Sequence, residues 1–510
     1  VSSHVVVVGA GVGGLAAAAR LAAAGHRVTV LEQAAEVGGK LGTLDVDGHL
    51  FDTGPSLLTL PHHLEDVFAA TGAPLADVLP LERLAVACRY RFPDGTVLDL
   101  PGDVADVPDA LDAALGPGRG AQWTAFLRRA ERIWDITADP FLHSPIGVGD
   151  MVRLSRRLDH VAAVAPWRSL RSLGRAHLRD PRLLMLLDRY ATYTGSDPRR
   201  APAALATVPY AEQRWGSWYV PGGLHRIAEA LRDRALALGA EVRLGTEVVS
   251  LVVSPAGAVT GVELGDGSVV AADAVVANAD ATQVYGRLLA DTAPGRRRAV
   301  AQLRRTTPSL SGHVSLVAVD ESAGAGSGDP LGDVPHHQVL FAEDYDEEFD
   351  AVFGRRGPHR PVARPTVYVS APRDPALAPP GHGAWFVLVN APRHDPSGRQ
   401  GLDWDQGDLV SSYGDVVLDV LASRGLDVRG RVRHRVVRSP ADLERLTLTP
   451  GGSIYGSSSN GATAAFLRPA NRSPVPGLFL VGGSSHPGGG LPLVLLSARI
   501  VSDLVGPARA

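Results

Sequence analysis

Cysteine is nearly missing from this chain of 510 residues, with Cys88 standing alone. One thiol makes no intrachain disulfide, no CxxC redox pair and no zinc–thiolate site, and no metal site is expected. Lysine is as scarce: Lys40 is the only one among 50 basic residues. Codon bias in a GC-rich genome accounts for the arginines and singles out the exception. The chain is 45% hydrophobic yet holds no apolar run of about 18 residues, so no transmembrane helix is expected. There is no basic surplus either. The formal net charge of −4 excludes nucleic acid as the main partner. A strand-like run, His4-Val5-Val6-Val7-Val8, begins almost at once and leaves no room for a leader, which points to a cytoplasmic protein. The length suits about three domain-sized units or two interleaved ones.

What is present is a pattern at the start. The run to Val8 is followed by Gly9-Ala10-Gly11-Val12-Gly13-Gly14, an Ala/Leu-rich stretch to Ala24, a Gly25-His26 stop and a second strand, Val28–Leu31, ending on Glu32. This predicts strand–turn–helix–strand. In Gly9-x-Gly11-x-x-Gly14 the first glycine permits the tight turn, the second lets the backbone approach a pyrophosphate, and the third lets helix pack on strand. The helix then turns its positive end to the phosphates. Glu32 lies 18 residues beyond Gly14, where a carboxylate accepts from both ribose hydroxyls and disfavours a 2′-phosphate. A bare GxGxxG is weak, but the strand, helix, strand and terminal acid together outweigh a mere glycine-rich turn.

NAD and FAD share this fingerprint. Gly38-Gly39-Lys40 and then Gly54-Pro55-Ser56 bring more backbone, and a cation, towards the pyrophosphate, an extension typical of FAD proteins. Gly324-x-Gly326-x-Gly328 has no strand before it and is discounted as a second site. Further along, residues 62–219 carry helical patterns, residues 240–277 short strands, residues 321–336 and 353–365 loop-like stretches, and Leu478–Val481 a last strand before a helix from about Pro492 to Val505.

At this point nearly the whole chain resembles the bacterial phytoene desaturases and related carotenoid dehydrogenases, FAD enzymes with an amine-oxidase-like fold. The likeness rests on Gly38-Gly39-Lys40-Leu41, Asp52-Thr53-Gly54-Pro55-Ser56, Trp218-Tyr219-Val220-Pro221-Gly222-Gly223-Leu224, Asn278-Ala279-Asp280, Arg468-Pro469-x-Asn471-Arg472 and, above all, Gly482-Gly483-Ser484-Ser485-His486-Pro487-Gly488 through Pro492. Arg189-Tyr190-Ala191-Thr192-Tyr193-Thr194-Gly195 is most similar to the hydroxyneurosporene and methoxyneurosporene dehydrogenase branch.

The resemblance implies an α/β architecture: a discontinuous Rossmann-type FAD-binding domain (1–85, 220–300 and 440–510) with an inserted α+β substrate and membrane-associated domain (86–219 and 301–439). It implies FAD contacts from Gly9, Gly11, Gly13, Gly14, Glu32, Gly39, Lys40, Gly54, Pro55, Ser56 and Val248, with Gly483, Leu491 and Pro492 beside the isoalloxazine ring. The substrate it implies is a hydrophobic acyclic polyene, desaturated by hydride transfer to flavin N5.

A helix starting at Leu491-Pro492 would set its positive end against reduced flavin, and Leu493–Leu496, apolar all round, reads as buried. No acid–base pair announces itself, and no catalytic residue is assigned. His486 is at least as well read as a turn anchor, and Asp135 and Asp139 as solvated helix residues. Residues 151–182 hold eight arginines, with Trp167 and leucines interleaved. This reads equally as a solvated face or as peripheral contact with the inner face of the cell membrane, and the lipid-soluble substrate tips it to the latter. Two alternatives stand beside the desaturase: a flavin amine oxidase or other small-molecule dehydrogenase, and a lipid- or prenyl-binding escort that has lost the flavin.

Overall fold

A computed structural model describes residues 3–145, 156–322, 334–461 and 464–508. Its first elements are the predicted ones: β1 (His4–Val8), α1 (Val12–Ala23) and β2 (Arg27–Leu31). β1 sits in the middle of a five-stranded parallel sheet. Its order is Glu241–Arg243, β2, β1, Ala274–Ala277, Leu478–Leu480. Strands far apart in sequence thus meet in one sheet, and the carboxyl ends of all five lie on one side, where ligands of doubly wound sheets bind.

Both faces of this sheet are covered, so its strands are apolar throughout: Val5, Val6 and Val7 are fully buried. α1 is buried on most sides as well. It packs against helices Arg226–Ala237 and Leu491–Val505, and its run Ala16–Ala19 is fully buried, small side chains letting three helices approach closely.

The second large element is a seven-stranded mixed sheet, ordered Val432–Arg438, Ser311–Asp320, His382–Ala391, Val367–Ser370, His337–Leu340, Val86–Arg91, Val97–Pro101. Only the pairing of His337–Leu340 with Val86–Arg91 is parallel. Helices drawn from residues 107–215 pack beside one end of it through a core that includes Trp123, Phe126, Tyr190 and Phe341. The small strand Ser217–Tyr219 pairs with Leu58–Thr59 and Glu82–Arg83 and so ties the two regions together.

The arginine-rich stretch departs from a single amphipathic segment. It forms three short helices, Leu158–Val164, Leu170–His177 and Pro181–Arg189. Arg171 is buried, bonded to Asp188 at 2.8 Å and to Asp346. Arg182 is held by Asp180 at 2.9 Å and Asp94 at 3.3 Å. Arg171 is thereby withdrawn from the surface, while Arg182 stays partly exposed and ties its own N-cap Asp180 to the strand turn at Asp94. Arg153 and Gly324-x-Gly326-x-Gly328 lie outside the described residues.

Candidate active site

A cavity of about 1130 Å³ opens at the carboxyl ends of β1 and β2 and runs to the second sheet. All fourteen of the residues expected to hold FAD line it or its glycine loop: Gly9, Gly11, Gly13, Glu32, Gly39, Lys40, Gly54, Pro55, Ser56, Val248, Gly483, Leu491 and Pro492 directly, with Gly14 one position behind Gly13.

The glycine loop shows why it tolerates no side chains. Gly9 takes φ +97°, and a Cβ on Gly14 would stand 2.2 Å from the Gly9 carbonyl oxygen. The N-terminus of α1 has no side-chain cap and no acid in its first turn. Its first amides therefore face the cavity unpaired by the helix, a ready site for pyrophosphate. Glu32 is buried and accepts from the amides of Ala10 at 2.7 Å and Ala34 at 2.9 Å. Those bonds aim the carboxylate along the cavity wall and leave lone pairs for ribose hydroxyls.

Lys40 is spent in part on the protein. Its ammonium donates to the carbonyl oxygens of Ser453 at 3.1 Å and Ile454 at 2.9 Å, which leaves one N–H. The side chain has free surface, but that surface faces the cavity, and desolvation pushes its pKa down to about 8, with Asp280 opposing the shift. Ser56 Oγ bonds the Tyr368 hydroxyl at 2.9 Å. The helix Leu491–Val505 likewise starts uncapped, with Pro492 in its first turn. Leu493 and Val494 correct the expectation of full burial. They are half-buried and line the cavity, which supplies the space their side chains fill from one side only.

His486 behaves as an anchor: its Nε2 lies 2.9 Å from the Ser144 carbonyl, and burial lowers its pKa. Asp135 and Asp139 are exposed, the latter bonded to His143.

Several residues that shape the site escaped the sequence reading of roles. Asn278, at the end of a buried strand, lies against the glycine loop, where a Cβ on Gly11 would meet its Nδ2 at 2.7 Å. Arg468 is buried and donates to three carbonyl oxygens, those of Tyr455, Gly483 and Ser457, stitching two loops under the cavity. Asp52 accepts from the amides of Leu224 at 2.7 Å and His225 at 3.1 Å, and so fixes the Gly222-Gly223 turn. Only Asp52, two residues before Gly54, carried a local signal; Asn278 and Arg468 have no glycine beside them in the sequence.

The comparisons agree with this geometry. Residues 12–396 match the family model "Flavin containing amine oxidoreductase". The chain belongs to that family. It is 36% identical to hydroxyneurosporene desaturase of Rubrivivax gelatinosus over 98% of this chain and 92% of that one. It is 34% identical to 4,4'-diapolycopene oxygenase of a Methylomonas species over 99% and 98%, and 33% identical to the zeta-carotene-forming phytoene desaturase of Myxococcus xanthus over 98% and 93%. Among solved structures, an oxidoreductase from Methanosarcina mazei superposes with a TM-score of 0.64 at 19% identity, covering 98% and 100% of the two chains. Putrescine oxidase superposes with a TM-score of 0.64 at 16% identity, covering 99% of each. Both show the same fold. The protein is a flavin-dependent oxidoreductase with FAD as its cofactor.

Proposed function

We propose that this flavoprotein is a carotenoid desaturase that introduces C=C bonds into a long acyclic polyene. The observation that carries the reading is the continuity of the cavity. The dinucleotide cradle opens without a wall into a lining of Leu57, Leu60, Phe141, Leu142, Leu205 and Val208. Bound flavin supplies a hydride acceptor at N5. The chain's own residues hold an apolar chain beside it, exclude water, and set the positive end of helix Leu491–Val505 where negative charge develops. These six side chains carry no acid or base, and an allylic cation loses a proton readily. Full-length relatives named as carotenoid desaturases support the substrate class. Neither the amine oxidase nor the escort reading has a comparable observation behind it.

On this reading residues 1–85, 220–300 and 440–510 form the flavin unit, and 86–219 and 301–439 the substrate unit. The cavity lining reaches Val164 and Pro166, next to Trp167, which is 69% exposed. Leu158 is 80% exposed, with the exposed arginines 156, 157 and 168 nearby in sequence. This apolar and basic rim suits uptake of the polyene from an anionic membrane surface. The test of the function is product mass. Holoenzyme supplied with acyclic carotenoids in liposomes should yield products lighter by two hydrogens per turnover. Unchanged polyene from every carotenoid offered would overturn the proposal.

A further inference from the structure

One buried base in the cavity wall has no protein group to bind. His63 stands in the first turn of the helix His62–Ala70, which follows the strand Leu58–Thr59. The lining runs from the Gly54-Pro55-Ser56 turn assigned to the cofactor through Leu57, Thr59 and Leu60 to this side chain. His63 is 5% exposed, and its Nε2 is buried without a hydrogen-bond partner among the described residues. Leaving a buried imidazole nitrogen unpaired costs stability. A histidine kept as a turn anchor has a partner, as His486 has in the Ser144 carbonyl.

A second histidine continues outward from the first. The His143 ring lies edge-on to that of His63, with centroids 5.8 Å apart, and its Nε2 is also buried and unpartnered among the described residues. Its Nδ1 lies 2.9 Å from Asp139 Oδ1, and side-chain exposure rises from 26% at His143 to 91% at Asp139. The three groups thus lead from the cavity to solvent. Arg499 steadies the middle of this path by donating to the His143 carbonyl oxygen at 3.3 Å. Desolvation, and after it the neighbouring His62, His143 and Arg499, push the His63 pKa down to about 3. Glu65 and Asp66 share its helix, and Asp66 is paired with Arg20. The imidazole is therefore neutral, with a lone pair free, at any working pH.

An allylic cation gives up its proton readily, but only to an acceptor, and a lining that excludes water removes the usual one. We propose that His63 is the catalytic base of the desaturation, and that His143 and Asp139 carry the proton from it to solvent. Once the hydride has left for the cofactor, the C–H bond on the neighbouring carbon breaks. Its electron pair closes the new double bond, and its proton goes to the His63 imidazole. The imidazolium, disfavoured by Arg499 and both neighbouring histidines, passes a proton to His143 across a gap that one water or a small ring rotation spans. Exchange with Asp139 and bulk water then restores neutral His63 for the next turnover. A base this weak suffices because the cation is a far stronger acid, and it does not trap the proton. The inference rests on the desaturase reading and adds to it the group that accepts the proton.

The test follows a single anaerobic turnover of the holoenzyme with an acyclic polyene in liposomes. Flavin bleaching and proton release to a weakly buffered medium, the latter read with an indicator dye, are recorded together. The wild type should release its proton in step with bleaching. His63→Gln, which keeps the size and polarity but accepts no proton, should bind flavin and polyene within about twofold of the wild type and bleach about 100-fold more slowly. His143→Gln keeps the base and cuts its outlet, so its proton release should lag behind bleaching by about tenfold in rate. It is the deciding variant if His63→Gln fails to retain flavin. An unchanged bleaching rate in His63→Gln, or proton release that keeps step with bleaching in His143→Gln, would overturn the proposal while leaving desaturation intact. No bleaching by any polyene in the wild type would instead overturn the desaturase reading on which it rests.

Discussion

The least shielded choice in the site is made at Lys40. Desolvation at the cavity wall, with no carboxylate bonded to it, lowers its pKa from 10.5 to about 8. The folded value is below the unfolded one, so between about pH 8 and 10.5 the unfolded chain holds more protons. The cost of desolvating this charge is in full force below pH 8 and is relieved as pH rises through that window. Binding of a pyrophosphate runs the other way, because it needs the charged form. Affinity of the apoprotein for FAD, followed by flavin fluorescence quenching, should fall as pH rises through about 8. Lys40→Met should bind about tenfold more weakly at pH 7 and lose that pH dependence. A wild-type profile that stays flat from pH 7 to 9.5 would show that the ammonium serves only Ser453 and Ile454. Cys88 shows the opposite outcome of burial: its thiol is pushed up to about 12, which leaves it a packing residue.

At the scale of elements, the pattern from β1 to β2 was legible because it is local. Period, glycine spacing and the terminal acid all fall within one βαβ unit, and the structure reproduces its boundaries to within a residue or so. The C-terminal strand and helix were legible for the same reason. The partners of these elements were not. Asn278 touches the glycine loop from more than 260 residues away, and Arg468 joins loops that the chain reaches separately, so their roles exist only once the sheet has formed. Within the arginine-rich stretch Arg171 was hidden in the same way: it meets its counterion Asp346 across 175 residues, and composition alone reads it as surface. Close contact makes a sharp prediction for α1. Gly14→Ala places a methyl 2.2 Å from a backbone oxygen that has no freedom to withdraw. The purified variant should be nearly free of flavin, with its thermal midpoint lowered by several degrees. Normal flavin content in that variant would contradict the tight strand–helix packing described here.

For the whole molecule, the fold joins two sheets around one cavity and leaves a rim with Leu158 and Trp167 exposed. No helix of the described residues is long and apolar enough to cross a membrane. Contact through the rim predicts that the protein sediments with anionic vesicles at low salt and less with neutral ones. Trp167→Ala combined with Leu158→Ala should reduce the bound fraction several-fold without loss of flavin. Equal sedimentation of the double variant would place the contact elsewhere. The central claim is that the dinucleotide cradle and the apolar chamber are parts of one catalytic site. The most direct measurement is the visible spectrum of the holoenzyme during anaerobic addition of an acyclic polyene in liposomes. Bleaching of the flavin band together with a product absorbing further to the red is the predicted result. A flavin that stays oxidised with every polyene offered would contradict it.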